Sequence, residues 1–364
     1  MTGFLRPRPT ILPYTYVLTA AADYLPAAID EVRRLDPQLH QILEPDPEIA
    51  IVESALDFET LSDTLQRDEP IFLRHIVPAQ SRVILSGEGD DLGALAREVV
   101  GLPEIPALSA ENTFSVQARV FPAPGMERPY SPYAIKAAVA PIVQAETGAQ
   151  EDVRDPQVVI SILTLPTVGF VGISAASDNL SNWAGGARRF AREEGQLTRS
   201  EFKLLEALEV FDATPPLGGQ ALDLGAAPGG WTRVLHNIGM TVTAVDPAPL
   251  DPSVANQPGV QAVQGYAQEW VRSAHNAGRK FDVVVNDARM DARDAARFMV
   301  DVAPLMHLDS FAILTLKLPS PDAAGMDPIR ITREAIAELR SRYRTVRARQ
   351  LFHNRNEVTA FLRL

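Results

Sequence analysis

The second half of the chain consists of short apolar segments alternating with helical ones, and this alternation constrains the fold most strongly. From Gln220 onward the apolar segments read QALDL, TVTAVD, GVQAVQG, FDVVVND, FAILTLKL, TVRARQLF and VTAFLRL. Such alternation predicts a parallel sheet covered by helices on both faces. The last two strands are joined by HNRNE, and we expect them to form a terminal antiparallel hairpin.

A glycine-rich turn, LDLGAAPGGWTRVL, connects the first of these strands to a helix. Doubly wound sheets bind ligands at this edge, where glycines let the backbone approach the ligand and a helix N-terminus favours its negative groups. We therefore expect a nucleotide-like ligand. The dinucleotide fingerprint G-x-G-x-x-G fails because Ala227 stands two positions after Gly225, and the sequence contains no Walker motif.

The stretch DLGAAPGGWT resembles the S-adenosylmethionine loop of the FtsJ-like ribose methyltransferases, in which D-x-G-x-x-P-G-G recurs. This resemblance implies an α/β, Rossmann-like class I methyltransferase fold with a seven-stranded sheet, and S-adenosylmethionine as cofactor. The stretches RSEFKLLEALEVF, LKLP and ARQLFHNRNEVTAFLR narrow the resemblance to the bacterial M-type 23S ribosomal RNA ribose methyltransferases, whose product is 2'-O-methylcytidine. The resemblance is strong over residues 198–364 and only architectural before them.

The same resemblance implies a set of cofactor contacts. Asp246 ends the second strand, where an acid can accept hydrogen bonds from ribose hydroxyls; the alternative is that it only caps the turn before Pro247. Tyr266 stands where relatives often place an acid near the adenine. The expected cofactor-binding residues are Ser200, Asp223, Gly225, Ala227, Pro228, Gly229, Gly230, Trp231, Asp246, Tyr266 and Asp287.

The reaction class is narrowed by what the sequence lacks. It contains no cysteine, which removes carbon-5 methylation of pyrimidines through a covalent cysteine adduct. The fourth strand is followed by NDARM instead of the D/N-P-P-Y/F motif of enzymes that methylate exocyclic amines. Oxygen methylation remains, and it needs a base near an alcohol that ionises reluctantly.

Lysine is rare in this chain, which has 34 basic residues but only four lysines. FtsJ-like enzymes use a Lys-Asp-Lys-Glu tetrad, and the resemblance carries it onto Lys203, Asp287, Lys317 and Glu357. Lysine can lose its proton when burial or a nearby cation favours the neutral form, whereas arginine stays charged. Lys317 is therefore assigned as proton acceptor for the ribose 2'-hydroxyl, with Asp287 orienting it. The alternative is that Lys317 steers a hydroxyl lone pair and the proton leaves late.

The first half of the chain reads as two smaller α/β regions. Strands are predicted near residues 14–19, 49–54, 71–77 and 82–86, followed by a proline-bearing linker, GLPEIPALSAEN. The strand, helix, strand, strand order after it resembles the THUMP domain, an RNA-binding module. The predicted domains are a ferredoxin-like domain at residues 1–105, a THUMP-like domain at 106–186 and an FtsJ-like catalytic domain with its linker helix at 187–364.

Charge and composition bear on the partners. The net charge of −12 argues against indiscriminate coating of nucleic acid, but residues 330–364 hold nine arginines against three glutamates. We expect Arg188, Arg189 and Arg355 to contact RNA phosphates. For some of the arginines in residues 330–364, the alternative to RNA contact is that they form the solvated face of a helix.

The predicted function is therefore an S-adenosylmethionine-dependent 2'-O-methyltransferase of a 23S ribosomal RNA cytidine. The alternatives are methylation of another RNA, such as transfer RNA, and a non-catalytic RNA-binding or assembly factor. No apolar run of about 18 residues could span a bilayer and no export signal is recognisable, so a cytoplasmic protein without a membrane partner is expected. The six histidines lack ligand spacing, so no metal is expected. The target nucleotide and the oligomeric state stay open.

Overall fold

The computed structural model describes residues 14–192, 195–320 and 326–364. Its contacts divide the chain into two compact units, Met1–Ala187 and Arg188–Leu364. Within the described ranges, no helix is long and apolar enough to cross a membrane.

The first unit begins with a four-stranded antiparallel sheet and two helices. Its elements are β1 (Tyr14–Thr19), α1 (Leu25–Leu35), β2 (His40–Asp46), β3 (Ile49–Ser54), α2 (Phe58–Arg67) and β4 (His75–Pro78). The strands lie in the order β2-β3-β1-β4, and every pair is antiparallel. This β-α-β-β-α-β order is the ferredoxin-like arrangement that the sequence predicted.

Two details of this sheet differ from the sequence-based strands. The predicted strand at 71–77 begins only at His75, because the backbone N–H groups of residues 71–73 donate to the buried Glu31 carboxylate at 2.9–3.0 Å. Strand β2 was not predicted. It is an exposed, bulged edge strand and therefore lacks a buried apolar face that would produce alternation.

The rest of the first unit forms a five-stranded mixed sheet. Its elements are β5 (Ser81–Ile84), α3 (Asp90–Val100), β6 (Thr113–Val120), α4 (Pro132–Thr147), β7 (Gln150–Glu151), β8 (Val158–Thr164) and β9 (Val168–Ala175), and the strand order is β5-β9-β8-β6-β7. Strand β6 pairs in parallel with β8 and β7, whereas β9 is antiparallel to β8 and β5.

The boundary between the first and the second sheet does not lie at the predicted residue 105. Strand β5 is hydrogen-bonded to β9, and Val83 and Leu95 pack in one core with Val116 and Ile135. The change of sheet therefore falls near residue 80. A local sequence pattern could not show this, because it depends on which distant strand β5 pairs with.

The second unit is a seven-stranded sheet of the Rossmann-like methyltransferase type, as predicted. Its strands lie in the order β12-β11-β10-β13-β14-β16-β15, parallel except for β16, which runs antiparallel between its two neighbours. The strands are β10 (Gln220–Leu224), β11 (Thr241–Asp246), β12 (Val260–Gln264), β13 (Phe281–Asn286), β14 (Met306–Lys317), β15 (Thr345–Arg349) and β16 (Glu357–Arg363). The helices are α5 (Glu201–Val210), α6 (Gly230–Ile238), α7 (Pro252–Ala255), α8 (Ala267–Asn276), α9 (Ala292–Val302) and α10 (Pro328–Arg340).

The direction of chain progression reverses between β10 and β13. From β10 the chain moves outward through β11 and β12, then returns to β13 on the other side of β10. The carboxyl ends of these two central strands therefore border a crevice, which is where open α/β sheets bind ligands. One core of this unit packs Trp231 of α6 against Val283 of β13, Ile313 of β14 and Phe361 of β16.

Strand β14 offers a matched pair of substitutions that tests this core. Ile313 is fully buried, whereas Leu308 on the same strand is 82% exposed. We expect Ile313→Ala to lower the free energy of unfolding by about 2–5 kcal/mol, and Leu308→Ala to change it by less than about 0.5 kcal/mol. Chemical denaturation of the purified variants measures both values, and equal losses would contradict the assigned core.

Candidate active site

Four titratable side chains meet at the carboxyl edge of the second unit's sheet. Lys203 lies on α5, Asp287 directly follows β13, Lys317 is the last residue of β14 and Glu357 is the first of β16. The antiparallel register places Lys317 directly opposite Glu357. The N–H of Asp287 donates to the Leu224 carbonyl at 3.2 Å, which ties the end of β13 to the end of β10.

The two lysines and the two acids form one ion network. The Lys203 Nζ lies 3.0 and 3.2 Å from the two Asp287 carboxylate oxygens and 2.9 Å from Glu357 Oε2. The Lys317 Nζ donates to Asp287 Oδ1 and lies 3.4 Å from the same Glu357 oxygen. Each acid therefore contacts both lysines, and the structure brings together all four predicted tetrad residues.

A fifth side chain, Thr315, joins this network and was missed in the sequence analysis. Its Oγ1 donates to Asp287 Oδ1 at 2.6 Å and accepts from Lys317 Nζ at 3.1 Å. Alternate residues of a strand point to the same side, so the spacing in TLKL already placed Thr315 beside Lys317. The hydroxyl is buried and holds the lysine and the aspartate together.

The network shifts the protonation of its members. Burial alone would raise the pKa of Asp287, but the cations of Lys317 and Lys203 and the hydrogen bonds from Lys317 and Thr315 hold it below its usual range. Burial alone would lower the pKa of Lys203, but the carboxylates of Asp287 and Glu357 outweigh that effect and raise it. Lys203 is thus held as a cation. Lys317 is the more open lysine, with 25% of its side chain exposed against 11% for Lys203.

A cleft of about 1100 Å³ lies beside this network. It is lined by all four tetrad residues and by most of the predicted cofactor-binding residues, namely Ser200, Gly225, Ala227, Pro228, Gly230, Trp231, Asp246 and Tyr266. Gly225 has a φ of +76°, and a Cβ there would lie 2.5 Å from the Ala288 backbone. Only glycine permits the glycine-rich loop to approach Ala288, the residue after Asp287, this closely.

The glycine-rich loop is fixed to the start of α5. The Trp231 indole donates to the Ser200 carbonyl at 2.7 Å, and the Ser200 hydroxyl lies 2.7 Å from the Thr198 hydroxyl. A Cβ on Gly230 would lie 2.4 Å from Thr198 Oγ1, so the first turns of α5 and α6 are in close contact. These contacts fix the position of the glycine-rich loop, which forms a wall of the cleft, relative to α5, which carries Lys203.

Asp246 caps the turn at Pro247 and also lines the cleft. One oxygen of its carboxylate accepts the N–H of Ala248 at 2.7 Å and thereby caps the turn that contains Pro247. The other oxygen accepts the N–H of Ala227 in the glycine-rich loop at 3.1 Å, and the side chain lines the cleft. Tyr266 also lines the cleft and is 64% exposed.

Two predicted cofactor-binding residues do not line the cleft. Gly229 is the residue before α6; its φ of +116° and the Val254 side chain beside it explain why glycine stands there. Asp223 is fully buried, and its carboxylate accepts the Thr232 hydroxyl at 2.6 Å. Asp223 lies inside β10 and supports the helix that follows the loop through Thr232, whereas Gly229 shapes the loop itself.

Burial also changes the acidity of Asp223. Desolvation raises its pKa to about 7; the Thr232 hydrogen bond opposes this, and the nearby acids Asp287 and Asp246 add to it. The group is therefore half protonated near neutral pH while Asp287 stays ionised.

The three arginines predicted to contact RNA lie in different settings. Arg188 is paired with Glu209 at 2.8 Å and stacks over the Phe190 ring at 4.1 Å. Arg189 and Arg355 are exposed, and Arg189 lies over the Phe352 ring at 5.9 Å. In the described parts of the chain, no group of three or more histidine, aspartate or glutamate side chains is arranged to hold a metal ion.

Comparisons with known proteins agree with the predicted resemblance. Residues 197–315 match the family model of FtsJ-like methyltransferases. The ribosomal RNA large subunit methyltransferase M of Halorhodospira halophila is 34% identical over 184 residues, covering 50% of this chain and 51% of that protein. The protein of the same name from Marinobacter nauticus is 36% identical over 202 residues, covering 53% and 54%. The chain thus spans about half the length of the curated relatives it matches.

Among solved structures, the crystal structure of TrmN from Thermus thermophilus covers 96% of this chain and 100% of that chain. Its sequence is 17% identical and its TM-score is 0.40, a likeness too weak to carry an argument.

The raised pKa of Asp223 predicts a distinctive pH dependence of stability. The folded protein keeps this proton up to about pH 7, whereas the unfolded chain releases it near 3.8, the ordinary pKa of an aspartate. The free energy of unfolding contributed by this group therefore falls as pH rises from about 4 to 7, by up to about 4 kcal/mol.

Urea unfolding of the wild type and Asp223→Asn between pH 4 and 8 measures this difference. We expect the wild type to lose stability relative to the variant as pH rises. Asp301→Asn serves as the control, because it removes a carboxylate that is exposed to solvent. A wild-type-minus-variant difference that stays constant over this range would contradict a buried proton on Asp223.

Proposed function

We propose that this protein transfers the methyl group of S-adenosylmethionine to a ribose 2'-hydroxyl of RNA, and that the substrate is a cytidine of large-subunit ribosomal RNA. The observation that carries the proposal is the Lys203–Asp287–Lys317–Glu357 network at the wall of a nucleotide-sized cleft. The family match and the named relatives support the coarser part of the proposal, which is methyl transfer to large-subunit ribosomal RNA.

The residues of the cleft fit S-adenosylmethionine. The loop Gly225–Gly230 presents backbone close to the ligand and leads into the N-terminus of α6, which suits the cofactor's carboxylate. Asp246 would accept a hydrogen bond from a ribose hydroxyl of the cofactor, and Ser200 and Tyr266 also line the cleft. When bound, the cofactor supplies an electrophilic methyl group on a sulfonium sulfur. Asp287, one of the three acids that line the cleft, would suit the positive charge of that sulfonium.

The network gives Lys317 the properties of a proton acceptor. Asp287 and Thr315 fix the Lys317 nitrogen, and its partly exposed side chain faces the cleft. The carboxylates of Asp287 and Glu357 stabilise the ammonium ion that forms when Lys317 takes the hydroxyl proton. Arginine could not fill this position, because its guanidinium has no acceptor lone pair.

An alternative for Lys317 uses the same contacts. A protonated Lys317 would donate to the substrate oxygen and aim one of its lone pairs, with proton loss following methyl transfer. The two versions predict different pH–rate profiles, because only a neutral acceptor must lose its own proton before each turnover.

The remaining parts of the proposal concern the whole protein. The predicted THUMP-like region, residues 106–186, serves as an RNA-binding domain together with β5 and α3, which share its sheet and core. The enzyme acts in the cytoplasm, where its RNA substrate resides. Methylation of another RNA is the second candidate within the same chemistry. A non-catalytic assembly factor is disfavoured, because a binding module has no need for two lysines held between two acids.

The first test of the reaction replaces the proposed base. The protein is incubated with tritiated-methyl S-adenosylmethionine and unmodified 23S RNA, which is then digested to nucleosides. We expect label in 2'-O-methylcytidine with the wild type, and a loss of about 100-fold or more in rate with Lys317→Ala and Lys317→Arg, because both lack an amine that can accept the proton.

The matched control for this substitution is Lys280→Ala. Lys280 donates to the carbonyls of Pro304 and Met306 and lines no part of the cleft. Full activity of Lys317→Arg would contradict the proposed role. No label on RNA with cofactor binding intact would contradict the proposed substrate.

Thr315 is expected to act as a positioning residue. Thr315→Val keeps the shape of the side chain but removes the hydroxyl that contacts Asp287 and Lys317. We expect kcat to fall about tenfold, consistent with a lost hydrogen bond to a charged group, while the cofactor Kd is unchanged.

Thr315→Ser distinguishes this role from packing, because serine restores the hydroxyl and not the methyl group. The serine variant should recover most of the wild-type kcat. If the valine variant is the more active of the two, the hydroxyl has no positioning role.

A further inference from the structure

A second cavity, of about 340 Å³, lies on the other flank of the α5 N-terminus. Its wall includes Phe190, Leu197, Thr198, Arg199 and Phe202, and we call it the aromatic pocket. Residues three apart on a helix share a face. Ser200 and Lys203 line the cleft, whereas Arg199 and Phe202 line the aromatic pocket, so the two cavities are separated only by the first turn of α5.

The aromatic side chains around this pocket are stacked and held in place. The Phe190 and Phe202 rings lie 5.7 Å apart at 13°, and both contact the His353 ring, at 5.6 and 5.3 Å. Phe352 meets His353 edge-on at 5.2 Å. All four rings are only half-buried, so the cluster presents aromatic surface to the outside.

Glu206 fixes the part of the cluster that belongs to the loop before β16. Its buried carboxylate accepts the N–H groups of Phe352 and His353 at 2.8 and 2.9 Å and contacts His353 Nδ1 at 2.7 Å. The same loop leads four residues later to Glu357 of the tetrad. The aromatic cluster is therefore rigidly connected to the catalytic network.

Positive charge surrounds these rings. Arg189, Arg199 and Arg355 are exposed, and among the described residues no acid forms an ion pair with them. Aromatic faces combined with uncompensated guanidinium groups are the features that bind single-stranded nucleic acid: the bases stack on the rings and the phosphates meet the cations.

We propose that the aromatic pocket binds one unpaired nucleotide of the RNA, next to the nucleotide whose ribose is methylated. This inference rests on the proposed function and adds to it that the substrate is single-stranded around its target. A base in the pocket and a ribose at Lys317 lie on adjacent flanks of one helical turn, and a duplex holds its bases stacked on each other and away from such a pocket.

The test measures binding of the intact protein to a fluorescein-labelled, cytidine-containing RNA strand of about 12 nucleotides, by anisotropy at fixed salt. Phe190→Leu keeps an apolar side chain but removes the ring that stacks with Phe202 and lies under Arg188. We expect it to raise the Kd for the single strand by about fivefold or more, and Phe190→Tyr to bind like the wild type. Arg199→Ala should weaken binding and lower the salt dependence of log Kd by about one unit.

Matched controls separate these effects from a general loss of structure. Trp270→Leu removes a half-buried ring that also lies under an arginine, Arg279 at 5.1 Å, but that lines neither cavity. Arg272→Ala removes an exposed arginine from the same helix, α8. Both should bind RNA like the wild type. The duplex form of the probe should bind equally to the wild type and to Phe190→Leu.

Three outcomes overturn the proposal: wild-type affinity in Phe190→Leu and Arg199→Ala, an equal loss in Trp270→Leu, or a poly-glutamate peptide that competes as well as the RNA. The tritium assay run in parallel tests the reaction separately. If the wild type methylates RNA while Phe190→Leu binds normally, the pocket is wrong and the function stands. If Phe190→Leu loses affinity but no RNA is methylated, the pocket stands and the function fails.

Discussion

The second unit depends on one half-buried carboxylate, that of Asp287, which is held between the side chains of two lysines. Removing Asp287 from water is costly, and the cost is offset only when Lys203 and Lys317 both reach it with good geometry. That requirement connects a helix before the sheet, the two central strands β13 and β14, and the final antiparallel strand β16. The lowered pKa of Asp287 and the raised pKa of Lys203 both reflect this mutual stabilisation. A chain that lost either lysine would leave an acid buried without its full set of partners.

The same interaction links the fold to the proposed chemistry. Strand β16 inserts antiparallel beside β14, so that Glu357 faces Lys317 across the sheet, and Thr315 lies on the same side as Lys317. The start of α5 also connects the fold to the proposed chemistry, because its first turn separates the cleft from the aromatic pocket. In the proposed function, this one helical turn would set the spacing between the stacked nucleotide and the nucleotide to be methylated.

The sequence predicted the features that have a local signal. Apolar strands and the glycine-rich loop indicated the sheet of the second unit, and the tetrad was found because each member sits in a recognisable stretch. Strand β2 and the sheet membership of β5 were not predictable in this way, since an exposed edge strand lacks alternation and strand pairing is a long-range property. Asp223 was misplaced because the motif does not reveal that this side chain points under the loop instead of into the cleft. The aromatic cluster is formed by residues from three separate segments, so no single stretch of the sequence predicts it.

The central claim is that a ribose oxygen, and not a base, receives the methyl group. Alkaline hydrolysis of the labelled RNA tests it directly, because cleavage of each phosphodiester needs the free 2'-hydroxyl beside it. If the ribose is methylated, we expect the label from S-adenosylmethionine in an alkali-resistant dinucleotide whose first residue is a cytidine. Label recovered in an ordinary mononucleotide would mean methylation of a base and would contradict the role given to Lys317 and its network.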